Sequence, residues 1–398
     1  MNDEAQQLRL IYRWSFAIRF GVALTAWYIA QFLNLSLVED AGRYQEFGAI
    51  IADDWRSGNS STLLEEWREG GQAWGMLAFI AVFYLLTGGV ATIPILLAFY
   101  SAITAFAPVL TYRIARKLGA SPAGARTGAW IVVFCPGFAI WSALYKEGVI
   151  FVILNLITYQ VLLLQEKFQW RSLLIIGVCL PALFALRFYL AIMIAPVIVL
   201  SMLLGRSKQE ARGNTSATEL VLVRQVLIVA VIVVLLASVG FTDQVQKFLP
   251  TDVGNFFSQM QNVRDDLANS ANSGFLRGAD VSTPEAALKF LPVALAYFLA
   301  VPLPWEMGEL RQNIAIPETL FWLVMYRFVL AGMSKGLRHN FPGSTLIIAM
   351  TVLISCFYAV FMGNIGTVYR MRTQVWLLWA VFAGWGWEER RVKKPLKS

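Results

Sequence analysis

The stretch "LIYRWSFAIRFGVALTAWYIAQFLNL", from Leu10 to Leu35, decides the fold class. It is longer than the roughly 20 apolar residues that cross a bilayer as a helix. It is also too long for the apolar core of a signal peptide and shows no cleavage pattern, so we expect a retained span. Of the 398 residues, 58% are hydrophobic and only 15% are charged, whereas about a quarter of a soluble domain is charged. The sequence therefore predicts an all-α polytopic membrane protein.

Positive charge between the apolar segments predicts the topology, because cytoplasmic loops carry an excess of Lys and Arg. If the basic connections are cytoplasmic, segments 74–88 and 288–304 do not cross, and we expect about ten transmembrane helices with both termini cytoplasmic. Segment 74–88 is then interfacial or re-entrant, and the prolines of 288–304 favour a re-entrant or interfacial hairpin. The apolar segments are 10–34, 74–88, 91–113, 122–143, 147–165, 171–187, 188–204, 219–240, 288–304, 317–334, 343–361 and 373–387.

The polar segments predict one membrane domain over residues 1–398, with no separate soluble domain. We expect an external loop with amphipathic helices at 36–90 and a partly irregular external polar loop at 242–287. A short turn, "GNIGTVYRMRTQ" (363–374), joins the last two spans, and a basic cytoplasmic tail covers 388–398. The net charge of +8 arises mainly from residues that flank apolar runs, so no nucleic-acid partner is predicted.

The segment that follows the first span, "SLVEDAGRYQEFGAIIADDW" (36–55), carries five carboxylates. Its apolar residues recur at helical spacing, which predicts an amphipathic helix on the membrane surface. They are Phe47, Ile50, Ile51 and Trp55. A lone carboxylate such as Asp40 at a span end is more often a simple interfacial residue. The density of charge around Asp40 favours a functional role instead.

Further charges lie at the predicted membrane edge. Lys146 and Glu147 stand in a tight turn between apolar runs, and Arg187 interrupts about 17 apolar residues. Arg187 is either a snorkelling side chain or a cation for an anionic partner such as phosphate. Arg370 and Arg372 are external, unless the topology is shifted by one span. Together these residues predict an external pocket with cations for a lipid-linked phosphate and a carboxylate for proton abstraction.

The order of these motifs resembles the GT-C superfamily of membrane glycosyltransferases, which includes protein O-mannosyltransferases and aminoarabinose transferases. After Asp40 and Tyr44 come "GAIIA" (48–52) and the re-entrant pattern "AFIAVFYLLTGG" (78–89). The most recognisable part is "YRIARKLGASPAGARTGAWIVVFCPGFAIWSALYKEGVIF" (112–151), through Pro136, Ser142 and Glu147, and then Arg187 before an apolar span. The resemblance covers about residues 10–200.

The resemblance implies sugar transfer from a polyprenyl-phosphate-linked donor to a glycan, lipid or protein acceptor. Asp40 is then the expected catalytic base, with Glu39 as the neighbouring alternative. The external face of a bacterial inner membrane is the expected site, and no motif supports a metal cofactor. The residues expected to bind the donor are Tyr44, Lys146, Glu147, Arg187, Tyr369, Arg370 and Arg372.

Two other functions fit the same features. An O-antigen-type polysaccharide polymerase shares the external arginines and the lipid-linked substrate, but its external loop is usually rich in arginine, and 242–287 holds only Arg264 and Arg277. A lipid-linked oligosaccharide flippase or other transporter is the second alternative. Transporters often show inverted repeats with broken helices, and we find no such repeat.

Overall fold

The computed structural model describes residues 2–33, 39–68, 73–88, 93–143, 146–204, 253–269, 273–302 and 310–392. These residues are 89% helical and form no β-strand, which confirms the all-α class. Five helical segments among them are long and apolar enough to cross a bilayer: Ile93–Leu118, Lys146–Glu166, Trp170–Met202, Ala315–His339 and Phe341–Phe361. The predicted total of about ten spans stays a prediction, and segment 219–240 lies outside the described residues.

The chain divides into two compact units. The first unit comprises Met1–Ile114 and Ala129–Pro196, and the second comprises Ala115–Gly128 and Val197–Ser398. In chain order, the first ten helices are α1 (Asn2–Leu33), α2 (Glu39–Arg56), α3 (Ser61–Arg68), α4 (Trp74–Thr87), α5 (Ile93–Thr104), α6 (Phe106–Leu118), α7 (Pro122–Phe134), α8 (Pro136–Ile140), α9 (Lys146–Glu166) and α10 (Trp170–Leu204). They are followed by α11 (Val253–Asn269), α12 (Pro284–Ala300), α13 (Leu310–His339), α14 (Phe341–Phe361) and α15 (Ile365–Val392).

The acidic segment forms helix α2 (Glu39–Arg56). Ile50 is 45% exposed, and the predicted placement of the apolar residues on a membrane surface stays a prediction. Helix α4 packs along α2, and a Cβ on Gly48 would lie 2.6 Å from the Ile80 Cγ2. The buried side therefore follows the small residues and Tyr44, because close packing needs small side chains at the contact. Its members are Ala41, Tyr44, Gly48, Ile51 and Ala52.

Helix α4 has the length that the sequence predicts for a non-crossing segment. Its 14 residues span about 21 Å at 1.5 Å per residue, which is shorter than the roughly 30 Å hydrocarbon core. The helix ends where Gly88 takes a left-handed conformation, with φ of 85°. A glycine is favoured there because it has no Cβ to clash in that conformation.

The structure places breaks in two of the apolar regions. Segment 122–143 is not one helix, because Pro136 has no N–H and the chain turns extended at Cys135 between α7 and α8. Segments 171–187 and 188–204 belong to one element, α10. Its helical geometry is lost at Arg187, where φ is −162° and ψ is 86°. The predicted boundary between the two segments thus coincides with a break in the backbone.

The second unit is more helical than the sequence pattern indicates. Within the polar segment 242–287, residues 253–269 form helix α11, whose Phe256, Phe257 and Met260 pack against a core cluster containing Phe361. Segment 288–304 is not a hairpin, because α12 continues through Pro292 to Ala300. A proline inside a helix removes one backbone hydrogen bond. Helix α12 nevertheless stays continuous, and it packs against α14 and α15.

The turn between the last two spans is also shorter than predicted. Helix α14 ends at Phe361 and α15 begins at Ile365. Tyr369, Arg370 and Arg372 therefore lie within α15 and not in the turn.

Helices α13 and α15 approach each other closely through glycines. A Cβ on Gly332 would lie 2.1 Å from the carbonyl oxygen of Phe382, and one on Gly386 would lie 2.0 Å from that of Phe328. Both distances are far below van der Waals contact. Small residues let helix backbones approach in this way, and such packing is common between helices in membranes.

We predict that Gly332→Ala destabilises the protein by about 1–3 kcal/mol, the usual cost of overpacking, because the backbone of α15 must move away. The matched control is Gly21→Ala in α1, where an added Cβ meets no atom within 4 Å. Thermal unfolding in detergent micelles, followed by tryptophan fluorescence, measures both. Equal unfolding temperatures for the two variants would contradict the proposed close approach.

Candidate functional site

A buried ion pair lies at the centre of the first unit. The Arg187 guanidinium donates to the Glu147 Oε1 over 2.5 Å, and the two side chains are only 2% and 0% exposed. Glu147 stands in the first turn of α9, where the helix dipole favours a negative charge. The pair therefore joins the N-terminus of α9 to the middle of α10.

The break in α10 places Arg187 in a non-helical backbone conformation. Just before the break, α4 contacts α10 closely, since a Cβ on Gly75 would lie 2.7 Å from the Ala185 Cβ. Just after the break, the Arg187 guanidinium lies 5.7 Å from the centroid of the Tyr189 ring. The break is thus packed on both sides by residues of the first unit.

Tyr100 of α5 extends the site beyond the ion pair. Its hydroxyl accepts a hydrogen bond from the backbone N–H of Val149, and it lies within electrostatic range of the Glu147 carboxylate and the Tyr44 hydroxyl. Gly148 makes this approach possible, since a Cβ there would lie 3.2 Å from the Tyr100 Cε1 and 2.8 Å from the Thr104 Cγ2. Tyr100 is fully buried.

Tyr44 connects this group to α2. It is buried, and Asp40 lies one helical turn before it, on the same side of α2, because residues four apart are neighbours on a helix. Asp40 is half-buried. Glu39, the alternative base, is the first residue of α2. In the first unit Tyr100 thus lies within electrostatic range of Glu147 and Tyr44, and Asp40 lies one helical turn before Tyr44.

Lys146 is the first residue of α9 and is 7% exposed. It is thus a second buried cation in the first turn of α9, which also holds Glu147. Sequence reasoning missed Tyr100, although a tyrosine within the apolar run "IPILLAFYSAIT" is a weak signal of a polar contact. It also missed Gly148, whose need appears only when α5 and α9 are brought together.

The other predicted donor-binding residues lie in the second unit. Arg372 is fully buried and donates to the Phe298 carbonyl and to the Thr319 Oγ1, each over 3.0 Å. Its guanidinium lies 4.3 Å from the centroid of the Trp376 ring. Tyr369 donates to the Glu318 carboxylate, which the sequence analysis did not single out. A role of Tyr369, Arg370 and Arg372 in phosphate binding stays a prediction.

Arg264 of α11 is a further buried cation that sequence reasoning missed. It donates to the carbonyls of Val360 and Met362, over 2.9 and 3.0 Å, where α14 ends. Cations at helix C-termini are stabilised by the unpaired carbonyls. Burial lowers the pKa of Arg264 to about 10, and the charge of Asp265 acts in the opposite direction. Arg264 therefore attaches α11 to the end of α14.

We predict that Glu147→Gln and Arg187→Met each cost about 3–5 kcal/mol of stability, because either change leaves one buried charge without its main partner. The double variant should cost much less than the sum, since no buried charge then remains at this place. Unfolding of the unmodified protein, the two single variants and the double variant in detergent micelles measures the coupling between the two side chains. Asp53→Asn is the control, because its pair with Arg56 is exposed and should be worth at most about 1 kcal/mol. Additive losses would refute strong coupling.

No family model matches the chain, and no curated protein matches it in sequence. Among the described residues, no group of three or more His, Cys, Asp or Glu side chains is placed to hold a metal ion.

Proposed function

We propose that the chain is a GT-C-type glycosyltransferase that moves a sugar from a polyprenyl-phosphate-linked donor to an envelope glycan, lipid or protein acceptor. The observation that carries the proposal is the buried Glu147–Arg187 pair, with Tyr100 within electrostatic range of Glu147. Charges inside an apolar helical unit are costly, and they mark functional sites by default. The membrane-spanning helices support an isoprenoid substrate, which is itself held in the bilayer.

Asp40 is the base in this proposal. Asp40 is half-buried, and its carboxylate would take the proton of an acceptor hydroxyl. The acceptor oxygen then forms a bond to the anomeric carbon of the sugar. The bond from that carbon to the donor phosphate oxygen breaks, and the lipid phosphate leaves with the bonding electrons.

Arg187 and Lys146 supply the positive charge that the leaving phosphate requires. A guanidinium offers planar paired donors that match phosphate oxygens. Cations placed in advance stabilise the charge that develops in the transition state. Glu147 holds the Arg187 guanidinium in position, so we assign Glu147 an orienting role and not direct contact with the phosphate.

The proposal relies on the first unit. Arg372 contacts the Phe298 carbonyl and the Thr319 Oγ1 within the second unit, and the proposed reaction assigns it no role. The proposed setting is a bacterial inner membrane, with both termini cytoplasmic and Asp40 on the external face. The positive-inside pattern of the loops supports this orientation.

We predict that Asp40→Asn abolishes sugar transfer without loss of folded protein, because the amide cannot accept the proton. The matched control is Glu46→Gln, which neutralises an exposed carboxylate of the same helix and should leave transfer unchanged. The assay uses membranes containing each variant and polyprenyl-phosphate-linked mannose, glucose or aminoarabinose, radiolabelled in the sugar. Gel-filtration profiles in detergent verify folding.

Normal transfer by Asp40→Asn would rule out Asp40 as the base. Transfer of whole repeat units in blocks would instead support a polysaccharide polymerase. Movement of the labelled lipid across proteoliposomes without any change in its chemistry would support a flippase.

A further inference from the structure

Arg19 is a buried cation of α1 that the proposed reaction does not use. Its side chain is 0% exposed. One terminal nitrogen donates to the Ser15 Oγ over 2.5 Å, and the other donates to the Val132 carbonyl over 3.4 Å. No ion pair found in the described part of the chain includes it. A buried arginine without a carboxylate is expensive, so its contacts need an explanation.

The Val132 carbonyl lacks its usual helical donor. In an α-helix each carbonyl accepts from the N–H four residues later, and the residue four after Val132 is Pro136, which has no N–H. The preceding bond, from the N–H of Cys135 to the Ile131 carbonyl, is intact at 3.0 Å. Arg19 therefore supplies a donor at the place where the proline ends α7.

Contacts through Ser142 connect α8 to the candidate site. The Ser142 Oγ donates to the Phe138 carbonyl over 2.6 Å, which holds the corner after α8. The backbone of Ser142 then packs against α9, since a Cβ on Gly148 would lie 3.0 Å from the Ser142 Cα. Gly148 follows Glu147 directly, so the break at Pro136 is coupled to the N-terminus of α9.

The second unit shows the same arrangement independently. Arg372 donates to the Phe298 carbonyl over 3.0 Å, and the residue four after Phe298 is Pro302. Helix α12 ends at Ala300, just before that proline. In each unit a fully buried arginine thus meets the carbonyl that a proline deprives of its donor. Unpaired carbonyls in apolar surroundings cost several kcal/mol, which makes such a cation favourable there.

We propose that Arg19 is a positioning residue that completes the proline-ended helix α7 and thereby holds α8 and the Lys146–Glu147 end of α9 in place. The structural part of this inference is independent of the proposed sugar transfer, whereas its effect on turnover rests on that function. The two parts therefore need separate measurements.

Cys135 is a natural reporter of the α7–α8 break. It directly precedes Pro136 and is 7% exposed. Replacing Cys179 and Cys356 by alanine leaves it as the single thiol, since the chain has three cysteines. The probe is N-ethylmaleimide, and the readout is the rate at which it modifies Cys135 in the full chain in detergent micelles.

We expect Arg19→Leu to raise that rate by about tenfold or more, because a hydrogen bond from a charged donor is strong enough to shift a local opening equilibrium by that factor. Arg19→Lys should restore part of the protection, since a lysine can still donate to one carbonyl. The matched control is Arg13→Leu, which removes an exposed arginine from the same helix and should leave the rate unchanged. Equal rates in Arg19→Leu and Arg13→Leu would overturn the proposal.

A second variant keeps the test decisive if Arg19→Leu does not fold. Pro136→Ala returns an N–H to the place where Val132 needs one, so it should restore folding and slow labelling when combined with Arg19→Leu. Absence of any rescue, in folding or in labelling, contradicts the proposal.

The turnover arm uses the same variants in the sugar-transfer assay. Arg19→Leu should lower kcat while KM changes little, because the residue orients the site and does not touch the donor. If no variant transfers sugar but the labelling pattern holds, the proposed function fails and the positioning role stands.

Discussion

The constraint on which this structure depends is that polar groups inside apolar helices need partners within the protein. Water is absent from a bilayer core, so an unpaired carbonyl or charge there is costly. Prolines interrupt several of the apolar helices and leave carbonyls without donors. Buried arginines meet two of these carbonyls, at Val132 and at Phe298, and a third arginine completes the end of α14. The breaks in the helices are thus stabilised places in the fold.

The buried charges of the candidate site meet the same constraint. Arg187 lies where α10 loses helical geometry, and Glu147 compensates its charge. Glycines permit the close contacts around this pair, with Gly75 against α10 and Gly148 against α5. In the proposed function these cations stabilise the leaving phosphate of a lipid-linked donor, and Asp40 is the base.

The helical class and several buried charges could be predicted from the sequence alone. Apolar length predicts helices, and the charges that interrupt apolar runs mark Lys146, Glu147 and Arg187. One error arose where local pattern and packing disagree. Pro292 suggested a hairpin, yet α12 continues through it. The polar composition of 242–287 concealed helix α11, whose aromatic residues find their partners only in α14 and α12.

The sequence by itself determined the class of the protein, since apolar run length and scarce charge permit only membrane helices here. It also singled out Lys146, Glu147 and Arg187, which the structure buries. Only the tertiary structure decided their partners: that Arg187 meets Glu147, that Tyr100 reaches Val149, and that Arg19 and Arg372 serve carbonyls that prolines leave without donors. The physical reason is that the cost of burying a charge can be recognised from the apolar residues next to it in the sequence. The group that compensates the charge comes from a distant segment, and only packing brings the two together.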